Sequence, residues 1–248
     1  MDRDLWLQSF DKNTLPAWPC PICDKGHAVP RRRCFNQGET VSSIRMRQSE
    51  DWEPEWIEYI FTSWGKCSNP SCEQLFAVSG TGGLAPSFTE EHGTEWSDFF
   101  NARNCIPMPH IIKLPSKCPA EVKEPLFDAF SMFWLSPEAC AGRIRVSLEC
   151  LMNHLGIPKT ITTKKGKPAD LTLHGRLDKF ASIDPKNGPP LIALKWLGNA
   201  GSHESSSVSH SDLLDAFEIM EHALSEIIDD RSARVAALAK KLTNKHRR

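Results

Sequence analysis

The chain has 248 residues, 40% hydrophobic and 25% charged, a composition that suits one large globular domain or two modest ones and excludes disorder throughout. The formal net charge of -1 at pH 7 excludes a uniformly basic or acidic surface, so partners are signalled by local charge, not global charge. One local excess stands out: Arg231, Arg234, Lys240, Lys241, Lys245, Arg247 and Arg248 follow Asp230 with no acid among them.

The first residues, MDRDLWLQSFDKN, carry charges at both ends and no uninterrupted apolar run. Neither a secretory signal nor a membrane span is readable there, and a cytoplasmic location is expected. Nine cysteines form an odd set, and two close pairs have metal-ligand spacing, which points to reduced thiols and a metal instead of a disulfide framework.

Residues 1–105 are rich in Trp, Pro, Cys and Gly, and short apolar runs at 56–61 and 75–78 lie between turn signals. They predict short strands in a small β-rich domain. Within it, Cys20-Pro-Ile-Cys23 and Cys67-Ser-Asn-Pro-Ser-Cys72 are two knuckles, each able to offer two thiolates to one tetrahedral ion. Knuckles this far apart, with strand-like residues between them, describe a zinc ribbon. Four protein ligands leave no open position, so the expected zinc is structural and not catalytic. His27 or Cys34 could replace one ligand, while Cys105, Cys118, Cys140 and Cys150 read as ordinary thiols of a packed interior.

Between the knuckles lie Arg31, Arg32, Arg33, Arg45 and Arg47, then Glu50, Asp51, Glu53, Glu55 and Glu58. The arginines could grip phosphates while Trp52, Trp56 and Trp64 stack on bases. The favoured account is plainer: the tryptophans fill a small core and the opposed charges solvate strand faces.

Pro107, Pro109, Pro115 and Pro119 punctuate an extended connector over 106–120, since each proline holds its predecessor out of the helical region. From 121 to 230 the apolar period becomes helical. Val122, Leu126, Ala129, Phe130 and Phe133 form one stripe. Ser136-Pro137-Glu138 reads as an N-cap with proline in the first turn. The helix it opens buries Ile144, Leu148, Leu151, Met152 and Leu155 and stops at Gly156. The polar stretch 161–169 reads as a loop, and Leu173, Leu177 and Phe180 mark a shorter helix. Pro189-Pro190 opens another, expected to run through Lys195 and Leu197 into Gly198, Asn199 and His203. After a serine-rich loop at 205–209, Leu213, Leu214, Phe217, Met220, Leu224, Ile227 and Ile228 form the face of a final amphipathic helix. Residues 231–248 remain as a basic tail. The fold class is therefore α+β: a small β-rich ribbon followed by an all-α bundle.

Two runs of the helical half, Arg143-Ile-Arg145-Val-Ser-Leu-Glu149 and Leu194-Lys195-Trp-Leu-Gly198-Asn199-Ala-Gly-Ser-His203, resemble the signature helices of the domain-of-unknown-function family 4145, a branch of the HEPN superfamily. Members of that family often carry an N-terminal cysteine ribbon too, so the resemblance extends from Cys20 to about Ile228. It implies a helical bundle, often dimeric, drawn from toxin-antitoxin and phage-defence systems. It also implies metal-independent RNA cleavage at an Arg-polar motif with a following His, completed by a second protomer.

Asn199 and His203 match that motif, but Gly198 stands where the family has Arg. Lys195, one turn earlier, and Arg143 and Arg145 on a neighbouring helix are the candidate replacements for the missing cation. The candidate catalytic set is thus Lys195, Asn199 and His203. Arg143, Arg145, Lys240 and Lys241 are the candidate nucleic-acid contacts, and the expected ligand is RNA in preference to DNA. His203 could instead cap a helix end. Two functions stay open: a ribonuclease effector, or a non-catalytic nucleotide- or RNA-binding or adaptor module within a defence or restriction assembly, with a defence-system protein as partner. A homodimer seam is expected along the helix carrying Gly198, Gly201 and Ser202, because small residues permit close helix approach.

Overall fold

The computed structural model describes residues 1–89, 93–163, 166–195 and 208–245. The chain divides into two compact units between His110 and Ile111, inside the proline-rich connector.

The N-terminal unit opens on a single helical turn, α1 (Asp4–Leu7), and is built on four antiparallel strands, β1 (Ala28–Glu39), β2 (Glu58–Cys67), β3 (Leu75–Thr89) and β4 (Gly93–Ile106), paired in chain order. A short helix α2 (Val41–Met46) and a 3-10 turn, Pro54–Trp56, link β1 to β2. Thr40 caps α2 by accepting from the Ser43 N–H at 3.2 Å. Along β2 the burial alternates strictly, as a sheet with one packed and one solvated face requires. The packed face carries Phe61, Phe76 and Phe100, which with Phe10, Trp18 and Phe35 form an aromatic core. Phe35 stacks on Phe61 at 5.1 Å with planes 5° apart.

β3 is far longer than the apolar run at 75–78 predicts. Its interior glycines resemble turn signals but are strand residues, since a Cβ at Gly80 would strike the Asn101 carbonyl of β4 and the Phe61 ring. They are small because the neighbouring strand approaches closely. The tryptophans also depart from expectation: Trp56 is 38% and Trp64 47% exposed, while the core tryptophans of this unit are Trp6 and Trp18.

In the second unit, α3 (Ala120–Met132) and α4 (Pro137–His154) bury one continuous apolar seam. The expected cap is present, with the Ser136 hydroxyl accepting from the Ala139 N–H at 3.3 Å. Leu155 is half-buried, and Ile157 takes its place in the core after Gly156 turns the chain at φ 68°. The stretch read as a loop contains a small hairpin, β5 (Thr160–Thr162) with β6 (Pro168–Asp170). Gly166 at φ 75° and the Thr163–Lys167 hydrogen bonds close it.

α5 (Leu173–Ile183) follows the Thr172 cap, and α6 (Gly188–Ala193) ends sooner than the sequence pattern predicts. Its last turn tightens, with the Leu194 and Lys195 N–H groups donating to Leu191 and Ile192. α7 (His210–Asp229) begins on a reciprocal capping box between Ser209 and Asp212 and sends Leu213, Leu214, Phe217, Met220 and Leu224 into the core. Asp230, at φ 45°, breaks the helix, and the basic tail then forms a separate helix, α8 (Arg231–Lys245). Lys186 pins this junction, its Nζ donating to Glu226 at 2.6 Å and to the Ser232 hydroxyl at 2.9 Å.

One buried cation organises this unit. Arg176 of α5 is 4% exposed. Its guanidinium donates to the Glu149 carbonyl at 3.3 Å, the Asn153 Oδ1 at 2.8 Å and the Ile157 carbonyl at 2.8 Å. One acceptor belongs to the last turns of α4, one is a side chain near its end and one lies just beyond it, so the cation bridges α5 to the C-terminal end of α4, where it also complements the helix dipole. An Arg176→Met variant keeps much of the volume but strands the buried Ile157 carbonyl at about 1 to 3 kcal/mol and removes the bonds to Glu149 and Asn153. We expect a loss of about 2 to 5 kcal/mol in the unfolding free energy of the helical unit, measured by urea titration of the helical signal. An unchanged midpoint would count against the clamp.

Candidate functional site

The two cysteine knuckles converge. The Sγ atoms of Cys20, Cys23, Cys67 and Cys72 all lie within 4.8 Å of one another. Cys20 to Cys72 is 3.8 Å and Cys23 to Cys67 is 3.7 Å. A tetrahedron with metal–sulfur bonds of ~2.3 Å has edges of about 3.8 Å, so the spacing fits four thiolates around one ion.

Local chain geometry produces this. The first knuckle is a tight turn in which the Cys20 N–H donates to the Gly26 carbonyl and the Ala28 N–H to the Trp18 carbonyl. Asp24 and Glu73, each directly after the second cysteine of its knuckle, take left-handed φ values of 51° and 50°. After Asp24 the Lys25 and Gly26 N–H groups point at the Cys23 sulfur, and in the second knuckle the Asn69 N–H donates to Cys67 at 3.4 Å and its side-chain amide to Cys23 at 3.5 Å. Gly26 must lack a side chain because a Cβ there would meet the Cys67 sulfur.

The thiols differ sharply in acidity. Hydrogen bonds from the Lys25 N–H, the Asn69 amide and the Gly26 N–H bring Cys23 down to about 6, whereas burial pushes Cys67 up to about 12. A divalent cation would take all four as thiolates and remove that contrast. Neither alternative ligand joins the cluster. His27 instead shares a hydrogen bond with the Ser68 hydroxyl at 3.2 Å, and Cys34 is not part of the four-sulfur group. Cys105, Cys118 and Cys140 are buried, and burial lifts them to about 12, 11 and 12, the pattern of inert packed thiols.

The candidate nucleic-acid residues fall into two groups. Arg143 and Arg145 lie on α4, where each faces a carboxylate: Arg143 meets Asp128 at 3.3 Å and Arg145 meets Glu149 at 3.5 Å. Lys240 and Lys241 stand exposed on α8, and no described ion pair includes them. Arg47 of the N-terminal unit is likewise occupied, held by both oxygens of Glu39 at 2.9 and 2.6 Å and lying over the Trp52 ring.

Of the candidate catalytic residues, Asn199 and His203 lie outside the described residues. Lys195 is described, and its Nζ sits 3.3 Å from both ring nitrogens of His174. His174 in turn meets Asp178 at 3.3 Å, one turn along α5. This Lys195–His174–Asp178 group was not anticipated. A His-x3-Asp spacing in a helical stretch was its sequence signal, but the lysine partner comes from 21 residues away.

Comparison with known families treats the two halves separately. Residues 8–104 match the model of a domain of unknown function, DUF8608, and residues 127–245 match that of a second domain of unknown function, DUF4145. The expected similarity to the 4145 family thus applies to the helical unit and runs on through α8, while the cysteine-bearing unit matches a model of its own. No curated protein and no solved structure matches the chain. Among the described residues, no helix is long and apolar enough to cross a membrane.

The metal centre gives a direct expectation. Cys20→Ser or Cys67→Ser should abolish binding of one metal ion per chain and unfold the N-terminal unit, leaving the helical signal largely intact. Elemental analysis finding no stoichiometric metal in freshly purified parent protein would contradict this.

Proposed function

We propose that this protein is a nucleic-acid-associated module in which a HEPN-like helical bundle binds RNA in preference to DNA and a zinc ribbon supports the N-terminal unit. The observation that carries this reading is α8. Arg231, Arg234, Lys240 and Lys241 are exposed on it, and no described carboxylate neutralises them. Clustered free cations gain affinity for phosphates by releasing condensed counterions, whereas the paired Arg143 and Arg145 would first have to give up their carboxylates. The family match through residue 245 supports α8 as part of the domain and not an appended tail. Zinc is the proposed ion because four thiolates in tetrahedral array suit its filled d shell. A homodimer, a cytoplasmic setting and a partner in a defence or toxin-antitoxin system belong to the same reading and rest on the resemblance to HEPN proteins.

A second reading, metal-independent RNA cleavage, is favoured by the Lys195–His174–Asp178 group. A histidine can take the proton of a ribose 2'-hydroxyl as its oxygen attacks the adjacent phosphorus. A protonated histidine can then return a proton to the leaving 5'-oxygen, while the lysine ammonium offsets charge on the phosphoryl oxygens. His203 is the candidate for one of these roles, with Asn199 orienting the phosphate. His174, aligned by Asp178, is available for the other.

Truncation after Asp230 should weaken RNA binding and flatten its dependence on salt, by about 0.7 in the log–log slope for each single-strand phosphate that the shortened chain leaves unneutralised. Equal binding by parent and truncated protein across several salt concentrations would reject α8 as the binding element. For the cleavage reading, RNA turnover should fall about a hundredfold to ten-thousandfold in His203→Ala, and comparably in His174→Ala if that ring is the second acid–base group. A parent protein that binds RNA without cutting it leaves the binding module standing alone.

A further inference from the structure

Strand β1 does not run evenly along β2. Pro30 pairs with Gly65 and Phe35 with Ser63, so four residues, 31–34, stand opposite Trp64 alone. Such a bulge throws the edge of a sheet outward. Three of its members are Arg31, Arg32 and Arg33, all exposed, and Arg33 adopts a left-handed φ of 57°. No described ion pair includes any of them. Adjacent like charges on a strained backbone cost stability, and no described carboxylate pairs with them; an anionic ligand would offset that cost.

The sheet face beside the bulge is equally unusual. Trp64 is 47% exposed, and its β3 neighbour is the small Ala77, which leaves the indole open. The next row across the sheet is Asn36, Thr62, Ser79 and Asn104. It borders a depression of about 510 Å³ that also receives Arg103. Neither row contains an acid. An outward tryptophan flanked by unpaired arginines and hydrogen-bonding side chains makes a poor solvated surface. It makes a good platform for a strand with anionic links and flat, unpaired rings.

We propose that this face binds single-stranded nucleic acid, the bulge arginines taking phosphates and Trp64 stacking on a base. The inference rests on the nucleic-acid reading above and adds to it a binding site in the N-terminal unit, separate from α8.

The test uses the full chain and a short labelled single-stranded RNA, followed by fluorescence anisotropy over a salt series. The Arg31→Ala, Arg32→Ala, Arg33→Ala triple variant should bind more weakly, with a log–log salt slope shallower by about 2, the value for three single-strand phosphates. Trp64→Ala should weaken binding about fivefold to a hundredfold with the slope unchanged, as removal of one stacking platform predicts, and Trp64→Phe should restore most of it. If both variants bind like the parent while truncation after Asp230 lowers affinity, this face is rejected and the nucleic-acid reading survives. If the parent binds no RNA even at the lowest salt, the reading falls and this inference with it. If only the arginine variant loses binding, and polyglutamate displaces RNA from the parent as well as unlabelled RNA does, the face is an acidic-protein site and the proposal is overturned.

Discussion

The convergence of four sulfurs holds the N-terminal unit in register. Cys67 ends β2 and pairs with Ala28 at the start of β1, so the second knuckle is anchored where the sheet begins and the first knuckle is folded back against it. The distance between the knuckles in sequence is what gives this junction its value. Loop-closure entropy must be met to bring residues 20–23 to residues 67–72, and a tetrahedral ion held there would return it as binding free energy. Once that corner is set, the meander follows by hairpin pairing, and the aromatic cluster around Phe61 and Phe100 closes one face. The opposite face is left to solvent.

The helical unit solves a different problem by different means. Its helices are nucleated locally by the Ser136, Thr172 and Ser209 caps and driven together by one apolar seam. Where α4 ends and the chain turns at Gly156, a single guanidinium from α5 ties the Glu149 carbonyl, the Asn153 side chain and the Ile157 carbonyl together. Arg176 is therefore the counterpart of the ion that the four sulfurs could hold: a cation that bonds groups the chain brings together. It is a structural charge, distinct from the exposed ones on which recognition would depend.

The charge distribution sorts those exposed cations further. Arg143, Arg145 and Arg47 meet carboxylates, whereas the described α8 cations and the bulge arginines do not. An arginine already held bidentately, as Arg47 is by Glu39, has little to gain from a phosphate. The basic residues thus divide into those that stabilise the fold and those available to an anion. Net charge conceals the division entirely.

What the sequence alone determined is the chemistry that acts over a few residues: knuckle spacing, the Ser136 cap, the stop at Gly156, and the helical period of α3, α4, α5 and α7. Each depends on side chains that meet their own nearby backbone, so short-range pattern suffices. Only the tertiary structure decided the length of β3, where glycines serve close strand packing, and the turn of Trp64 to solvent, which strand register sets. Tertiary structure also placed Arg176 at the end of α4, gave Arg143 its carboxylate partner and brought Lys195 to His174. Each of these depends on partners supplied from elsewhere in the fold, and a pattern read along one segment carries no information about which distant residue will arrive opposite it.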